Sequence, residues 1–389
     1  MIFQKFINET ESYWVKYFEW ATVQIREGKI TSDAGKIIFP NIILFTKCDG
    51  FYVAEFFGAS ERFVGFSSKE HKATSILKYF GQFDANDSDP LITLDGANHG
   101  LIGISLSRGS HAAEVEERFP VLKQYWSGVR ATFGEGAMLG FGKNFTSAFL
   151  QNCIFINKKD DVYRCKYIAS TFVVKSSIDK AELHELFLGG PSKQPVNMLY
   201  SIAANYTNSF IASQFQNIYL FPNMLEVRIG DFINLHPEII KRAFNSEHFL
   251  YEPYLEWIEH DGTCNDTAIN PDLLVRRSDG YYDIYDLKTA LLNKKKITRK
   301  GRSRRSFIEV VSDGIVQLAN YREYFQYPKN ADFAKNKYGI EISNPKLVLI
   351  VGSWENFDVN EVNQAMRQYA KQPIEIIDYD TLCQMFRMA

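Results

Sequence analysis

With 389 residues, 46% of them apolar and 23% charged, the chain is long enough for two or three cores and has the balance of a folded globular protein rather than a fibrous or disordered one. A formal net charge of −2 argues against a protein that coats nucleic acid indiscriminately. Five scattered cysteines with no C-x-x-C pair indicate neither a disulfide frame nor a zinc ribbon, and no apolar run is long enough to span a bilayer. The amino terminus carries acids where a signal peptide would be apolar, so a cytoplasmic protein with no membrane partner is expected.

In chain order, Trp14, Val15 and Phe18 at helical spacing predict an opening amphipathic helix. Strands at 41–46 and 51–57 follow, joined as a hairpin across Asp49-Gly50. Residues 61–80 read as helical, 85–90 as a polar loop, 101–106 as a strand and 120–129 as a helix with Pro120 in its first turn. Gly134, Gly136, Gly140 and Gly142 fit neither a dinucleotide fingerprint nor a Walker loop and predict a flexible loop. A strand at 163–175, a helix at 180–187 and a long helix over 196–215 complete a first region, 1–215, of α+β type that shows no catalytic constellation. His184-Glu185 lacks the second histidine of a zinc-protease helix and reads as a surface pair.

The second region, 216–389, begins with helices at 225–235 and 237–244 and a strand at 254–259. After a hairpin come a helix bearing Ile308, Val311, Ile315, Leu318 and Phe325, a strongly apolar strand at 346–351, a helix at 360–369, a strand at 374–377 and a closing helix at 381–388. The order α-β-β-β-α-β predicts an α/β (α+β) domain: a mixed sheet flanked by helices, with a crossover helix returning the chain parallel to the central strand.

The hairpin, INPDLLVRRSDGYYDIYDLKTA over 269–290, carries the chemistry. A three-residue turn at Ser278-Asp279-Gly280 pairs Arg277 with Tyr281 and sets Asp272 opposite Asp286, with Lys288 on their face. A two-residue turn at Asp279-Gly280 instead puts the carboxylates on opposite faces. Converging carboxylates repel unless a cation joins them, and a hard divalent ion supplies one while leaving positions open for water and a phosphate oxygen. Lys288 then orients the water and neutralises charge on phosphorus. The plainer alternative is that Asp272 starts a strand, Asp286 ends one and Lys288 is solvated. Shortly afterwards stand Lys294, Lys295, Lys296, Arg299, Lys300, Arg302, Arg304 and Arg305 with no acid among them. Such a run reads either as a solvated loop or as a basic flap for a polyanionic substrate.

Pro271-Asp272 followed by Asp286-x-Lys288, in this order of elements, resembles the PD-(D/E)xK nuclease superfamily. More narrowly, EVRIGDFINLHPEII, NPDLLVRRSDGYYDIYDLKTA and GIVQLANYREYF, within residues 225–327, resemble the Shedu family of bacterial anti-phage defence nucleases. The resemblance implies a restriction-endonuclease-like second domain that cuts double-stranded DNA with Mg2+ or Mn2+, a first region that senses and regulates, and a homo-oligomer, a tetramer among the options. Asp272 and Asp286 would be the metal ligands and Lys288 the catalytic lysine. Glu226 best fits an early glutamate, with Glu238 and Glu247 competing and Gly230 standing where a glutamine often occurs. Gln317 matches the glutamine of the later helix, with Tyr321 one turn on. A structure-selective repair or restriction nuclease, and a nucleic-acid sensor without turnover, are the rival readings.

Overall fold

The elements form where apolar side chains can be gathered onto one stripe or one face. A computed structural model describes residues 1–32, 35–73, 75–79, 91–93, 103–106, 138–139, 145–159, 162–189, 198–202, 204, 207–221, 224–262, 266–301, 304–369 and 374–389. It divides into two compact units, Met1–Gln214 and Phe215–Ala389.

In the first unit α1 (Phe3–Arg26) places Phe6, Trp14, Phe18 and Ala21 on one buried stripe. They pack with Phe45, Phe56, Phe172 and Phe187 in an aromatic core. The strands are β1 (Lys36–Ile38), β2 (Ile42–Cys48), β3 (Phe51–Phe57), β4 (Ser67–Lys72), β5 (Leu91–Thr93), β6 (Gly103–Leu106), β7 (Met138–Leu139), β8 (Ser147–Lys159), β9 (Val162–Lys175) and β10 (Tyr200–Ile202). All but β1 and β10 join one eight-stranded sheet in the order β4-β2-β3-β9-β8-β6-β5-β7. The helices after α1 are α2 (Ile76–Tyr79), α3 (Lys180–Phe187), begun by an Asp179–Glu182 capping box, and α4 (Thr207–Tyr219), within which the boundary between the units falls.

Two expectations fail here. Residues 61–80 are not a helix: β4 pairs parallel with β2, leaving α2 as one short turn. The free backbone edge of β2 outweighs the weak local preference of Ser67–Lys72, whose polar side chains suit an edge strand. Residues 196–215 are not one helix either, because Tyr200–Ile202 pairs antiparallel with β1 and the helix begins only at Thr207. The polar loop at 85–90, the helix at 120–129 and the glycine-rich loop at 134–142 lie outside the described residues, apart from β7.

The second unit is α+β. It opens with α5 (Glu226–Leu235) and α6 (Glu238–Ala243). Its five-stranded sheet runs in the order β11 (Phe249–Tyr251), β14 (Leu273–Arg276), β15 (Tyr282–Leu287), β18 (Leu347–Ile350) and β19 (Ile374–Ile377). The small pair β12 (Leu255–Glu256) and β13 (Ala268–Ile269) precedes the hairpin, and β16 (Thr298–Lys300) and β17 (Arg305–Phe307) follow it. Helices α7 (Glu309–Tyr324), α8 (Pro328–Tyr338), α9 (Val359–Met366) and α10 (Tyr379–Met388) complete the unit. Every residue of β15 and β18 is buried, as a sheet covered on both faces requires. Between these two strands α7 makes the crossover, and β15 and β18 pair parallel with Asp286 beside Leu349.

Of the two turns weighed from the sequence, the chain takes the three-residue one, which Gly280 in third place favours. Arg277 N–H donates to Tyr281 O at 2.7 Å, and Gly280 has φ +91°. The Arg277 guanidinium pins the turn through Asp279, Asp283 and the carbonyls of Ser343 and Asn344. The edge strand β11 and helix α8 were not foreseen, and the strand expected at 254–259 shortens to β12. The basic run is not a plain loop: it folds as the antiparallel ribbon β16–β17.

After β18 the chain turns on Gly352, with φ +86°, where an added Cβ would stand 2.8 Å from Asn356 Oδ1. That Asn356 donates to the carbonyls of Ala290 and Leu291 and anchors the segment leaving Lys288. Gly352→Ala should therefore destabilise the second unit by about 1–3 kcal/mol, measured by urea unfolding, because it combines a disfavoured φ with a clash on a buried anchor.

Candidate active site

Three parts of the second unit deliver polar groups to the end of β15. Continuing the β14–β15 register one step beyond Leu273↔Tyr285 sets Asp272 against Asp286. Asp286 lies in the fully buried strand and is 0% exposed. Lys288, one residue past the strand, projects to the same side. Its Nζ lies 2.8 Å from Asp286 Oδ2, 3.1 Å from Gln317 Oε1 on α7 and 3.7 Å from Glu226 Oε2 in the first turn of α5. Asp272 Oδ2 accepts from Leu287 N–H at 2.6 Å. Gln317 also donates to the Tyr321 hydroxyl, which in turn donates to Asn270 O at 3.1 Å. The cluster grades from the buried Asp286 and Lys288 to the partly exposed Asp272, Gln317 and Glu226.

Of the competing early acids, Glu238 lies 3.5 Å from His236 Nδ1, and Glu247 is exposed. Gly230 has its own packing reason: a Cβ there would stand 2.7 Å from the Tyr251 ring. Sequence reasoning missed Gly314, Glu252 and Tyr379. A Cβ on Gly314 would meet Leu349 Cδ1 at 2.8 Å and Asp286 Oδ2 at 3.3 Å, so its absence lets α7 close over the site. Glu252, at φ +44°, donates its N–H to Asp272 O at 3.0 Å. Tyr379 hydrogen-bonds the Lys288 carbonyl. The one readable signal was Gly314 inside a helical pattern, which suggests close packing without naming the partner.

The electrostatics are those of charge confined in a poorly solvated place. Burial raises the Asp272 carboxyl above the ordinary range, outweighing the Leu287 N–H and Lys288. Burial, then the neighbouring Asp272 charge, raises Asp286, again against the pull of Lys288. Burial disfavours the Lys288 ammonium, but Asp286, Glu226 and Asp272 together leave it more basic than usual. Asp286 Oδ1 is buried and has no hydrogen-bond partner among the described residues. An orphaned carboxylate oxygen beside a second carboxylate fits a divalent cation, with Asp272 and Asp286 as the holders. Among the described residues no three His, Cys, Asp or Glu side chains already form a metal cage.

The basic ribbon divides in two. Lys296 Nζ and Arg305 Nη1 meet the Glu361 carboxylate at 2.6 and 2.9 Å, and Thr298 donates to it at 2.6 Å. Burial works against the Glu361 charge, yet Lys296, Thr298 and Arg305 hold its carboxyl below the usual range. Arg299 donates to Ser306 Oγ, while Lys294, Lys295, Lys300 and Arg304 are exposed. Arg302 lies outside the described residues.

Residues 216–383 match the family model described as Shedu protein SduA, C-terminal. The second unit belongs to the Shedu family. No curated protein matches the chain. The match spans α5 to α10 and so includes every candidate site residue of the Shedu unit, and membership in this family suggests a part in anti-phage defence. Among the described residues no helix is long and apolar enough to cross a membrane.

With folded carboxyls raised above their unfolded values, the folded Shedu unit holds extra protons and is favoured at low pH. That advantage is lost as pH rises from the ordinary carboxylate range toward the raised Asp286 value of about 7. Lys288 stays charged throughout this window. Without divalent ions, Asp286→Asn should therefore exceed the parent in stability by about 1–2 kcal/mol at pH 8, with the gap closing near pH 4, as read by thermal unfolding across pH.

Proposed function

We propose that the Shedu unit is a PD-(D/E)xK deoxyribonuclease that hydrolyses phosphodiester bonds of double-stranded DNA in anti-phage defence. The observation that carries this reading is the convergence of Asp272, Asp286, Lys288, Glu226 and Gln317 on one buried-to-exposed line, with an unpartnered Asp286 oxygen at its deep end. A purely structural role gives a fully buried carboxylate beside a second, partly exposed one no purpose, since apolar residues would pack there at lower cost.

Asp272 and Asp286 would hold Mg2+ or Mn2+. The chemistry such an ion would supply there is Lewis-acid stabilisation of the phosphate and activation of water at neutral pH. Lys288, more basic than an ordinary lysine and braced by Gln317, donates to the phosphate or the attacking water and offsets the charge that grows on phosphorus. Glu226, at the exposed rim, completes the acidic side and opposes the Lys288 charge in the resting site. Lys294, Lys295, Lys300 and Arg304 hold the DNA backbone, whereas Lys296 and Arg305 brace the ribbon through Glu361. Backbone contacts carry no sequence information, so the first unit, with its separate core, controls substrate choice as a sensor, and assembly of several copies adds geometric selectivity.

Incubation with linear and circular duplexes should show cutting with Mg2+ and none with EDTA. Lys288→Ala should lower the rate by about 100-fold or more while DNA binding persists. Tight binding without cutting under any divalent ion would instead support a sensor. Replacing Lys294, Lys295 and Lys300 by Gln should weaken binding and reduce the slope of log K against log salt by about 0.9 for each phosphate no longer neutralised; an unchanged slope removes the ribbon from the interface.

A further inference from the structure

Lys288 stands just beyond β15, where the sheet no longer satisfies both of its backbone groups. Its N–H still donates to Ile350 O at 2.8 Å. Its carbonyl accepts from the Tyr379 phenol at 2.5 Å, across 91 positions of sequence. Tyr379 is 0% exposed and is itself held from several sides. Its N–H donates to Gly352 O, and its ring stacks on Tyr219 at 5.3 Å and 17°. Tyr219 donates to Asp380 Oδ1 at 2.8 Å, and Asp380 Oδ2 accepts from Trp354 N–H at 2.8 Å. Phe215 meets the Tyr379 ring edge-on at 6.1 Å and 68°. Next to Lys288, Thr289 O accepts from Gly352 N–H at 3.2 Å, so the two successive carbonyls are fixed by one turn and one helix start.

A lysine amine sits at the end of a four-carbon stem, and a small rotation of its backbone swings Nζ by an ångström or more. Misplacement on that scale costs on the order of 100-fold in rate. We infer that Tyr379 is a positioning residue of the Shedu unit: by gripping the Lys288 carbonyl it sets the direction in which the side chain leaves the backbone and so keeps Nζ between Asp286 and Gln317. Gln317 steers the tip of the amine, while Tyr379 steers its root. The tip can regain a partner from water, since Gln317 is partly exposed; the root cannot, since Tyr379 is sealed. The Tyr379 ring is in turn packed by Phe215 and Tyr219 of the same unit.

The inference rests on the nuclease reading for its rate consequence but not for its geometry, and the test separates the two. Tyr379→Phe removes one oxygen and no core volume. Tyr324→Phe is the matched control, because Tyr324 is equally buried and donates to Glu256 O at 2.9 Å, away from Lys288. Each full-length variant is assayed for single-turnover cutting at saturating DNA with Mg2+, for DNA affinity, and for the acetylation rate of Lys288 at one fixed pH by peptide mass spectrometry. Tyr379→Phe should cut about 10- to 100-fold more slowly with DNA affinity held within about 2-fold, and its Lys288 should acetylate severalfold faster. Tyr324→Phe should lose comparable thermal stability and show neither effect. Equal behaviour of the two variants in cutting and in acetylation overturns the inference. A parent protein that cuts no DNA with any divalent ion defeats the nuclease reading, and the acetylation rates then judge the Tyr379 inference by themselves.

Discussion

The carboxylate of Asp286, confined at the end of the central strand, is the constraint around which the second unit is arranged. A strand covered on both faces is the least solvated place in the sheet, and an acid there needs compensation that water cannot give. Lys288 supplies part of it, and its own burial demands further acceptors, which Gln317 and Glu226 provide from two helices. One oxygen is still left over. The fold thus tolerates a local deficit at Asp286, which a proton relieves and which the proposed cation would relieve as well.

Helix α7 shows how closely packing and chemistry are joined. Its apolar stripe, Val311, Ile315, Leu318 and Tyr321, belongs to the main core, while Gln317 on the neighbouring strip accepts from Lys288 and donates to the Tyr321 hydroxyl. Gly314 brings the helix down onto Leu349 and Asp286. A side chain at 314 would lift both strips together, so the depth of the core and the reach of Gln317 are set by a single missing carbon.

What could be read from the chain alone was what short-range chemistry decides. The hairpin, its three-residue turn and the sharing of one side by Asp286 and Lys288 follow from a glycine in the third turn position and from the alternation of a strand. The fully apolar β18 and the stripe of α7 were equally plain. What distant pairing decides was hidden. Ser67–Lys72 is a strand because β2 offers it an edge, Tyr200–Ile202 because β1 does, and Phe249–Tyr251 because β14 does. No local pattern marks Tyr379 as the partner of a carbonyl so far away in sequence, and none marks Glu361 as the counterion that turns a basic run into a ribbon. Helix α8 was the avoidable omission, since Pro328 at its start and the left-handed Gly339 at its end are ordinary helix punctuation.

The ribbon is closed at its root, where Ile308 N–H donates to Ile297 O at 3.0 Å and both residues sink toward the core. A loop sealed in this way can lengthen, shorten or change composition at its tip with little effect on the scaffold beneath, because each added residue raises the closure entropy only slightly. The exposed cations of the ribbon can therefore drift through evolution independently of the acids and lysine beneath it, and on the proposed function exchanging the tip between relatives is a route to altered nucleic-acid preference that leaves Asp272, Asp286 and Lys288 untouched.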